Sequence, residues 1–314
     1  MLEGSYMKKQ RMLRLCALCL TAALLTGAGL AAPAAQTPSQ ENAAPIAENL
    51  EIRTYRGVSV GGRLSAVDPE GDAITFQLTT DPVKGTVELC EDGRFVYTPA
   101  DGKRGKDYFG YRASDSQGNV SEEATVIIRI EKQKTKLTYS DLEGNGSYYA
   151  ALQMAEDGVF VGERIGTAYV FQPDRAVTRA EFLAMCMQLC DTKLLSGVRT
   201  TGFEDDAQIP AWAKPYVSTA LISGAVSGYN EAGMAVFGAQ RPVTWSEAAV
   251  MLNNLMEITN VSAAADTDTP AWAGQAAANL AACGMAPAGV QSDTLTRADA
   301  AELLLRARGV LQQR

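Results

Sequence analysis

A stretch of about thirty residues recurs in this chain at a fixed shift of 66 positions. Residues 171–182 read FQPDRAVTRAEF, and residues 237–248 read FGAQRPVTWSEA. The same shift superimposes a colinear series of identical residues: Gly158/Gly224, Gly162/Gly228, Val170/Val236, Phe171/Phe237, Val177/Val243, Thr178/Thr244, Glu181/Glu247, Met185/Met251 and Leu189/Leu255. A colinear series of this length indicates an internal repeat, so the chain must build one small structural unit more than once.

A third and shorter copy follows the second. Trp272 lies 60 positions after Trp212, whereas Thr296 lies only 52 positions after Thr244. The difference between these shifts, 60 − 52 = 8, means that eight residues are missing from the loop of the third copy.

Each copy is predicted to form a helix, a loop and a second helix. Thr178 is a good N-cap residue, and Glu181 three positions later completes a capping box. The first helix of the second copy, read over AKPYVSTALISGAVSG (213–228), ends at a glycine that suits a left-handed C-cap. The cap of the second helix recurs in the other copies, as Thr244/Glu247 and Thr296/Asp299.

These segments resemble the S-layer homology (SLH) family. The resemblance rests on an aromatic-x-Asp start (Phe203-Glu204-Asp205, and Tyr139-Ser140-Asp141 in the first copy), on Trp-Ala at 212 and 272, on the glycine turn, and on Val-Thr-Arg-Ala-Glu at 177–181. It covers about 139–314, with repeats at about 139–195, 203–260 and 266–314. The resemblance implies an all-α spindle of three repeats. It also implies non-covalent attachment to the bacterial wall through an anionic, pyruvylated secondary cell-wall polysaccharide.

The same resemblance points to the residues that would bind this polymer. An arginine at a capped helix start offers a planar fork and a positive dipole end to a carboxylate, and aromatic rings can stack on sugars. The candidates are Arg179, Arg297, Trp212, Trp272, Gly162, Gly228 and Tyr229. The second copy has Trp245 in the arginine position and the first has Gly146 in the tryptophan column. We therefore expect fewer than three intact grooves, with Arg179 contributing most. In the structural alternative, these residues only cap helices and pack.

Residues 48–131 follow a different period. Hydrophobic residues alternate with polar ones in about seven short runs separated by turn residues, a pattern typical of a β-sandwich. The order DPEGDAITFQL (68–78), GTVELCEDGRFVYTP (85–99) and GKDYFGYRASDSQGNVSEEATVIIRI (105–130) resembles bacterial cadherin-like or Ig-like repeats. We predict a multidomain protein, with this all-β sandwich followed by the all-α SLH spindle.

An acidic turn in the sandwich is a candidate calcium site. Asp68, Glu70 and Asp72, with Asp115, offer the oxygen ligands that Ca²⁺ prefers. The alternative is a polar turn whose carboxylates bind local backbone N–H groups. The composition predicts no other cofactor.

The N-terminal residues predict export. Residues 1–35, with Met7 as the natural start, read as a signal peptide: basic residues, an apolar stretch at 13–30, and small residues before the cleavage site. A membrane anchor is the alternative. Polar segments at 36–47 and 132–138 read as linkers, and the change of period near 135 predicts two halves that fold independently.

Composition excludes several classes of function. The chain contains no histidine, which removes Ser-His-Asp and Cys-His catalysis and histidine zinc sites. The net charge of −8 argues against nucleic-acid binding. The cysteines that follow the signal are predicted to be buried free thiols: Cys90, Cys186, Cys190 and Cys283.

Together these observations predict a non-catalytic, secreted cell-surface protein that displays one β-module from a wall anchor and has no membrane attachment after signal cleavage. One alternative is an adhesin or carbohydrate-binding protein whose β-domain engages an external ligand. Another is a wall-active enzyme, which would need a pair of carboxylates facing a cleft.

Overall fold

The structure, a computed structural model, describes residues 42–262, 269–285 and 294–314. The predicted signal peptide and the shortened loop of the third copy lie outside these residues. None of the helices in the described part of the chain is both long and apolar enough to cross a membrane.

The N-terminal part of the described chain is a β-sandwich-like region. One sheet has the strand order β2-β9-β8-β5 and the other β3-β7-β6, while β1 pairs with β4. The strands are β1 (Ile46–Ala47), β2 (Leu50–Tyr55), β3 (Val60–Arg63), β4 (Ala66–Val67), β5 (Thr75–Thr80), β6 (Gly85–Leu89), β7 (Arg94–Pro99), β8 (Gly105–Ser114) and β9 (Ala124–Glu131). The seven strands of the two larger sheets match the predicted number. Strand β1 falls within the segment that was predicted to be a linker.

Alternation along the strands builds the core between the two sheets. In β9 every second residue from Ala124 to Ile130 is buried, as expected for a strand with one face inward. Phe95 from one sheet meets Phe109 from the other edge-to-face, with ring centroids 5.2 Å apart. The buried Asp107 carboxylate accepts a hydrogen bond of 2.8 Å from the Tyr97 hydroxyl and two from backbone N–H groups, so it is well satisfied.

The C-terminal part contains two helices per copy. They are α1 (Tyr148–Glu156), α2 (Arg179–Leu189), α3 (Lys214–Ile222), α4 (Trp245–Met256), α5 (Gly274–Ala282) and α6 (Arg297–Leu311). A short 3₁₀ helix at Asp206–Gln208 precedes α3. All three predicted capping boxes are present, at the starts of α2, α4 and α6. Glycines with positive φ follow α1, α3 and α5, at 158, 224 and 284.

The all-α prediction for this part is wrong in one respect. The loops of the first two copies fold into short antiparallel hairpins, formed by β10 (Glu163–Ile165) with β11 (Ala168–Val170) and by β12 (Tyr229–Glu231) with β13 (Met234–Val236). Gly166 and Gly233 adopt positive φ at the hairpin turns, a conformation that glycine adopts without steric cost.

The three copies close into a ring. Helix α2 packs against both α4 and α6, while α3 packs on α2, α5 on α4 and α1 on α6. The residues just before the capped helices exchange backbone hydrogen bonds in a cycle. Val177 N–H donates to Leu295 at 3.0 Å, Leu295 N–H donates to Val243 at 2.9 Å, and Val243 N–H donates to Val177 at 2.9 Å. Each copy is therefore both donor and acceptor in one closed circuit.

The β-sandwich-like region docks directly on the helices. Tyr55 and Val58, at the end of β2, are buried within the helical hydrophobic core. The Tyr55 hydroxyl donates a 2.6 Å hydrogen bond to Glu156, whose other carboxylate oxygen accepts the backbone N–H groups of Lys134 and Thr135 at 3.1 Å. Residues of the predicted second linker thus have fixed partners on α1.

The cysteines follow the prediction only in part. All four are free thiols; Cys186 is buried and Cys190 and Cys283 are half-buried, but Cys90 is exposed. Cys90 directly follows β6, in a turn where its side chain meets solvent.

Candidate functional site: the junctions between copies

The arginine at the start of one copy's second helix lies beside the loop of the next copy. Arg179 N–H donates to the carbonyl of Arg241 at 2.9 Å, and Arg297 N–H donates to that of Arg175 at 2.8 Å. These two contacts are equivalent, because 175 and 241 are separated by the repeat shift of 66. We call the first place junction A (Arg179, Tyr229, Phe237, Arg241, Glu247). The second is junction B (Phe160, Glu163, Phe171, Arg175, Arg297).

At junction A the guanidinium of Arg179 is almost completely enclosed. The residue is 4% exposed, its Nε donates to the Phe237 carbonyl at 3.0 Å, and Nη1 lies 3.1 Å from Glu247 Oε1. Its central carbon lies 4.5 Å from the centre of the Tyr229 ring and 5.1 Å from that of Phe237. Such cation–π contacts are stronger when desolvated. The guanidinium of Arg241 also lies against the Tyr229 ring, 5.0 Å from its centre.

Glu247 links this cation to the helix cap. It is the N3 residue of the capping box, where it accepts the Thr244 N–H at 3.0 Å, and it also accepts the Tyr229 hydroxyl. Burial raises the pKa of the carboxyl, but the Thr244 and Tyr229 hydrogen bonds and the charge of Arg179 outweigh it, so the net pKa is lowered. Burial and the bond to Glu247 together raise the pKa of Tyr229 to about 12. The ion pair and the cap are therefore one hydrogen-bonded unit.

At junction B the same backbone position holds the other arginine. Arg297 is 4% exposed, and its Nη1 donates to the Phe171 carbonyl at 2.9 Å, as Arg179 does to Phe237. The guanidinium lies over the Phe160 ring at 4.8 Å. Its counter-ion is Glu163 on β10, 3.0 Å from Nη2. Arg175 Nη1 binds the same Glu163 oxygen at 2.9 Å.

The aromatic-x-Asp motif fixes the turn that carries these carbonyls. Asp141 accepts the backbone N–H groups of Phe171 and Gln172, at 2.9 and 2.6 Å, and Asp205 accepts those of Phe237 and Gly238, both at 2.8 Å. Each carboxylate thus fixes the main chain that presents a carbonyl to the arginine. The motif therefore positions the junction.

The two candidate glycines have a steric role. Gly162 and Gly228 adopt φ of 78° and 72° where the hairpins begin. A Cβ at 162 would lie 2.6 Å from the Val170 carbonyl oxygen, and one at 228 would lie 2.5 Å from the Phe203 ring. Only glycine fits at these positions, which brings the hairpin against the aromatic residue of the motif.

The tryptophans are exposed rather than enclosed. Trp212 and Trp272, just before α3 and α5, are 51% and 62% exposed. The Trp212 ring meets Tyr216 edge-to-face with centroids 6.3 Å apart. Trp245, in the arginine position of the second copy, is half-buried against the helical core. The loop of the third copy, on which a third junction would depend, lies outside the described residues.

Three charged residues of the junctions were missed in the sequence. Arg175 and Arg241 occupy the same place in the two repeated stretches, FQPDR and FGAQR, so the repeat itself carried the signal. Glu163 carried none, because the other copy has Tyr229 at the same hairpin position. Its role is seen only in the folded chain, where Glu163 forms an ion pair with Arg297, a residue 134 positions away.

Comparison with known proteins identifies the β-sandwich-like region. Residues 42–132 match the family described as bacterial cadherin-like domain. We call this region the cadherin-like domain, after the family that it is similar to. The match begins at Asn42, whose side chain donates a 2.6 Å hydrogen bond to Asp115. The cadherin-like domain therefore includes part of the segment predicted as the first linker.

A curated relative and several solved structures share further similarity. The chain is 28% identical over 171 residues to the "Surface-layer 125 kDa protein" of Lysinibacillus sphaericus, a match that covers 51% of this chain but only 14% of that protein. Among solved structures, an endo-fucoidan hydrolase of glycoside hydrolase family 107 aligns with 30% of this chain and 14% of its own, at 23% identity and a TM-score of 0.25. The SrpA adhesin of Streptococcus sanguinis aligns with 32% of this chain and 62% of its own, at 22% identity and a TM-score of 0.23. These structural scores carry no functional argument.

In the cadherin-like domain, Asp68 and Asp115 each use one carboxylate oxygen to accept local backbone N–H groups. Asp68 Oδ1 accepts the N–H groups of Glu70 and Asp72, at 3.0 and 2.9 Å. Asp115 accepts the N–H groups of Gln117 and Asn119, at 2.8 and 2.9 Å. Within the described part of the chain, no group of three His, Cys, Asp or Glu side chains is arranged to hold a metal ion.

Proposed function

We propose that this chain is a non-catalytic surface protein, whose three-copy helical unit holds it on the bacterial wall as an SLH-type anchor. The ligand is an anionic, carboxylate-bearing wall polysaccharide. It binds at the junctions between copies, and the cadherin-like domain is the displayed module. The observation that carries the proposal is the pair of equivalent arginines, Arg179 and Arg297.

The junctions offer a carboxylate both charge and geometry. In each, an arginine that cannot lose its charge is fixed to a main-chain carbonyl of the neighbouring copy and lies over an aromatic ring. A second arginine, Arg241 or Arg175, stands at the exposed rim. The exposed guanidinium offers charge-assisted hydrogen bonds to an acidic sugar, and the buried one adds positive charge beneath it.

Exposed tryptophans provide the apolar contact that sugar rings need. Large apolar side chains are costly to leave in water, and Trp212 and Trp272 recur at equivalent positions of two copies with more than half their surfaces exposed. Similarity to a protein named for the surface layer supports the same location, at the cell surface.

The docked cadherin-like domain supports a role in display. Its contacts with α1 run through backbone and side chains, including Tyr55 to Glu156. A module fixed in this way projects from the anchor in one orientation. In the alternative function this domain is an adhesin that engages an external ligand, and wall binding would then be independent of it.

Sedimentation with isolated walls tests the proposal. The full chain, without residues 1–35, should pellet with native walls and stay in the supernatant once the secondary polysaccharide has been stripped by hydrofluoric acid. Equal binding to native and stripped walls would contradict a polysaccharide ligand.

Matched surface variants then locate the contact. Trp212→Ala and Trp272→Ala should each weaken pelleting, because they remove exposed rings without opening the core. Ile222→Ala, which truncates another exposed hydrophobic side chain, should leave it unchanged. Equal effects of all three variants would mean that general surface hydrophobicity drives the binding.

A further inference from the structure

Junction B already contains a carboxylate held as a ligand would be held. Glu163 Oε1 accepts hydrogen bonds from Arg297 at 3.0 Å and from Arg175 at 2.9 Å, and Glu163 Oε2 accepts one of 3.3 Å from the Gln172 amide. Two guanidinium groups and an amide converge on one carboxylate. This is the donor set expected of a carboxylate-binding position.

Junction A has no such occupant. The residue at the hairpin position of Glu163 is Tyr229; both begin their hairpins and pair with the equivalent valines, Val170 and Val236. Tyr229 stacks on Arg179 and does not neutralise it. The counter-charge of Arg179 comes from Glu247, part of the helix cap.

The two counter-ions differ in their freedom to leave. The Glu247 side chain is 10% exposed and is tied to Thr244 and Tyr229, so its departure would uncap α4. The Glu163 side chain is 45% exposed, on a hairpin strand whose three residues are all exposed. It can turn into water without breaking a cap or a backbone hydrogen bond.

Charge balance then determines what replaces it. Arg297 is 4% exposed, and a buried cation without a partner is strongly unfavourable. Glu163 can therefore leave only if another anion takes its place. A ligand carboxylate can accept hydrogen bonds from the same three donors, Arg175, Arg297 and Gln172, so one carboxylate replaces another.

We propose that Glu163 is a built-in competitor that occupies a carboxylate-binding position at junction B. An acidic saccharide binds there only by displacing it. This inference deepens the proposed wall-binding function, since Glu163 makes the two junctions unequal and determines how readily junction B takes ligand. The class of ligand is a sugar that bears a free carboxylate, such as a pyruvate ketal.

Chemical rescue with acetate tests the position without the polysaccharide. Thermal unfolding of the full chain is followed from 0 to 200 mM acetate, with sodium chloride keeping the ionic strength constant. Acetate should raise the Tm of Glu163→Ala, because an anion that binds only the folded state stabilises it. It should leave the wild type unchanged. Equal responses in the two proteins, or none in either, would overturn the inference.

The matched control is Glu231→Ala. Glu231 has the same 45% side-chain exposure and also pairs with one arginine, Arg241, but that arginine is itself half exposed. Its removal leaves no buried cation, so acetate should not raise the Tm of this variant. A rise equal to that of Glu163→Ala would reduce the effect to general screening and overturn the inference.

A second variant measures competition directly. Glu163→Gln removes the charge but keeps the size of the side chain and its ability to form hydrogen bonds. This variant should therefore fold even if Glu163→Ala does not. Its Kd for a methyl hexoside carrying a 4,6-pyruvate ketal should be about tenfold lower than that of the wild type, and the Arg297 Nε–H signal should shift in NMR. The ketal methyl ester, which lacks the charge, should bind neither protein. An unchanged Kd with an unmoved Arg297 signal would overturn the inference.

The arms separate this inference from the proposed function. If the wild type pellets with walls but acetate does not stabilise Glu163→Ala, the proposed wall binding stands and the role of Glu163 as a competitor is rejected. If acetate stabilises Glu163→Ala but the wild type does not pellet with walls, the carboxylate-binding position stands and the wall polysaccharide is rejected as its ligand.

Discussion

The backbone N–H of Gly61 donates a 2.7 Å hydrogen bond to the carbonyl oxygen of Gly146. The first residue belongs to β3 of the cadherin-like domain, and the second lies just before α1. A Cβ at 146 would lie 3.2 Å from both Gly61 Cα and a methyl carbon of Val96. The two backbones therefore meet without side chains between them.

Gly146→Val should separate the cadherin-like domain from the helices. The added methyl groups have no room, and overpacking of this kind costs about 1–3 kcal/mol. Differential scanning calorimetry should show one transition for the wild type and a lower, broader or split one for the variant. Gly309→Ala is the control, since its Cβ would meet nothing within 4 Å; it should be neutral or stabilising. Two independent transitions in the wild type would restore the independent folding predicted from the sequence.

Arg179→Ala should lower the free energy of unfolding, whatever its effect on wall binding. The substitution leaves the buried carboxylate of Glu247 without its cation, and breaking one side of a buried ion pair costs about 3–5 kcal/mol. Arg175→Ala is the comparison, because Arg175 forms its ion pairs at the surface and exposed pairs contribute about 0–1 kcal/mol. Urea unfolding, followed by circular dichroism, gives both values. Equal losses in the two variants would show that the Arg179 pair is no more important than a surface pair.

Glu302 should make stability depend on pH. This half-buried residue of α6 lines a cleft of about 1000 Å³ between the helix and the cadherin-like domain, together with Phe76, Tyr149 and Arg306. Burial raises its pKa to about 7, against lowering by Arg306 and by a hydrogen bond with Ser147. From about pH 4.5 to 7 the folded protein holds a proton that the unfolded chain releases. The free energy of unfolding therefore falls as pH rises through this window.

Glu302→Gln removes that proton exchange. The variant should gain stability relative to the wild type as pH rises from 5 to 7, by at most about 1.4 kcal/mol per pH unit, and the difference should level off above pH 7. Glu204→Gln, at an exposed position, should show no such trend. Parallel stability profiles of wild type and Glu302→Gln would remove Glu302 from the pH dependence.

Asp68→Ala tests the acidic turn. The variant loses the acceptor of two backbone N–H groups, those of Glu70 and Asp72. Bonds to charged groups contribute about 1.5–3 kcal/mol each, so we expect a loss of this order or slightly more. The loss should be the same in EDTA and in millimolar Ca²⁺ if the turn is structural. A calcium-dependent rise in Tm that is confined to the wild type would instead establish the predicted metal site.

Local signals in the sequence predicted local structure well. The spacing of Thr178 and Glu181 was enough for the capping box, because both partners lie within one helical turn. The alternation along β9 predicted its buried face for a similar reason. The glycines at the start of the hairpins were also found, and the structure shows that a side chain at either position would clash with its neighbours.

Contacts between distant segments could not be read in the same way. Arg297 meets Glu163 across 134 positions, and neither residue carries a pattern that names the other. The docking of Tyr55 into the helical core was also missed. A change in hydrophobic period shows where strands give way to helices, but it does not show whether the two regions pack against each other. The hairpins were missed because three-residue strands are too short to show alternation.

The circuit formed by Val177, Val243 and Leu295 closes the three helical copies through backbone atoms alone. Each main-chain donor is satisfied by another copy and the last closes on the first, so removing any one copy from this arrangement would leave one donor and one acceptor of the circuit without their partners. Side chains at the junctions can diverge, as Trp245 has, because the closure uses only backbone atoms. Substitutions that leave the backbone at these three positions in place should therefore leave the closure of the three copies intact, whatever side chains the junctions carry.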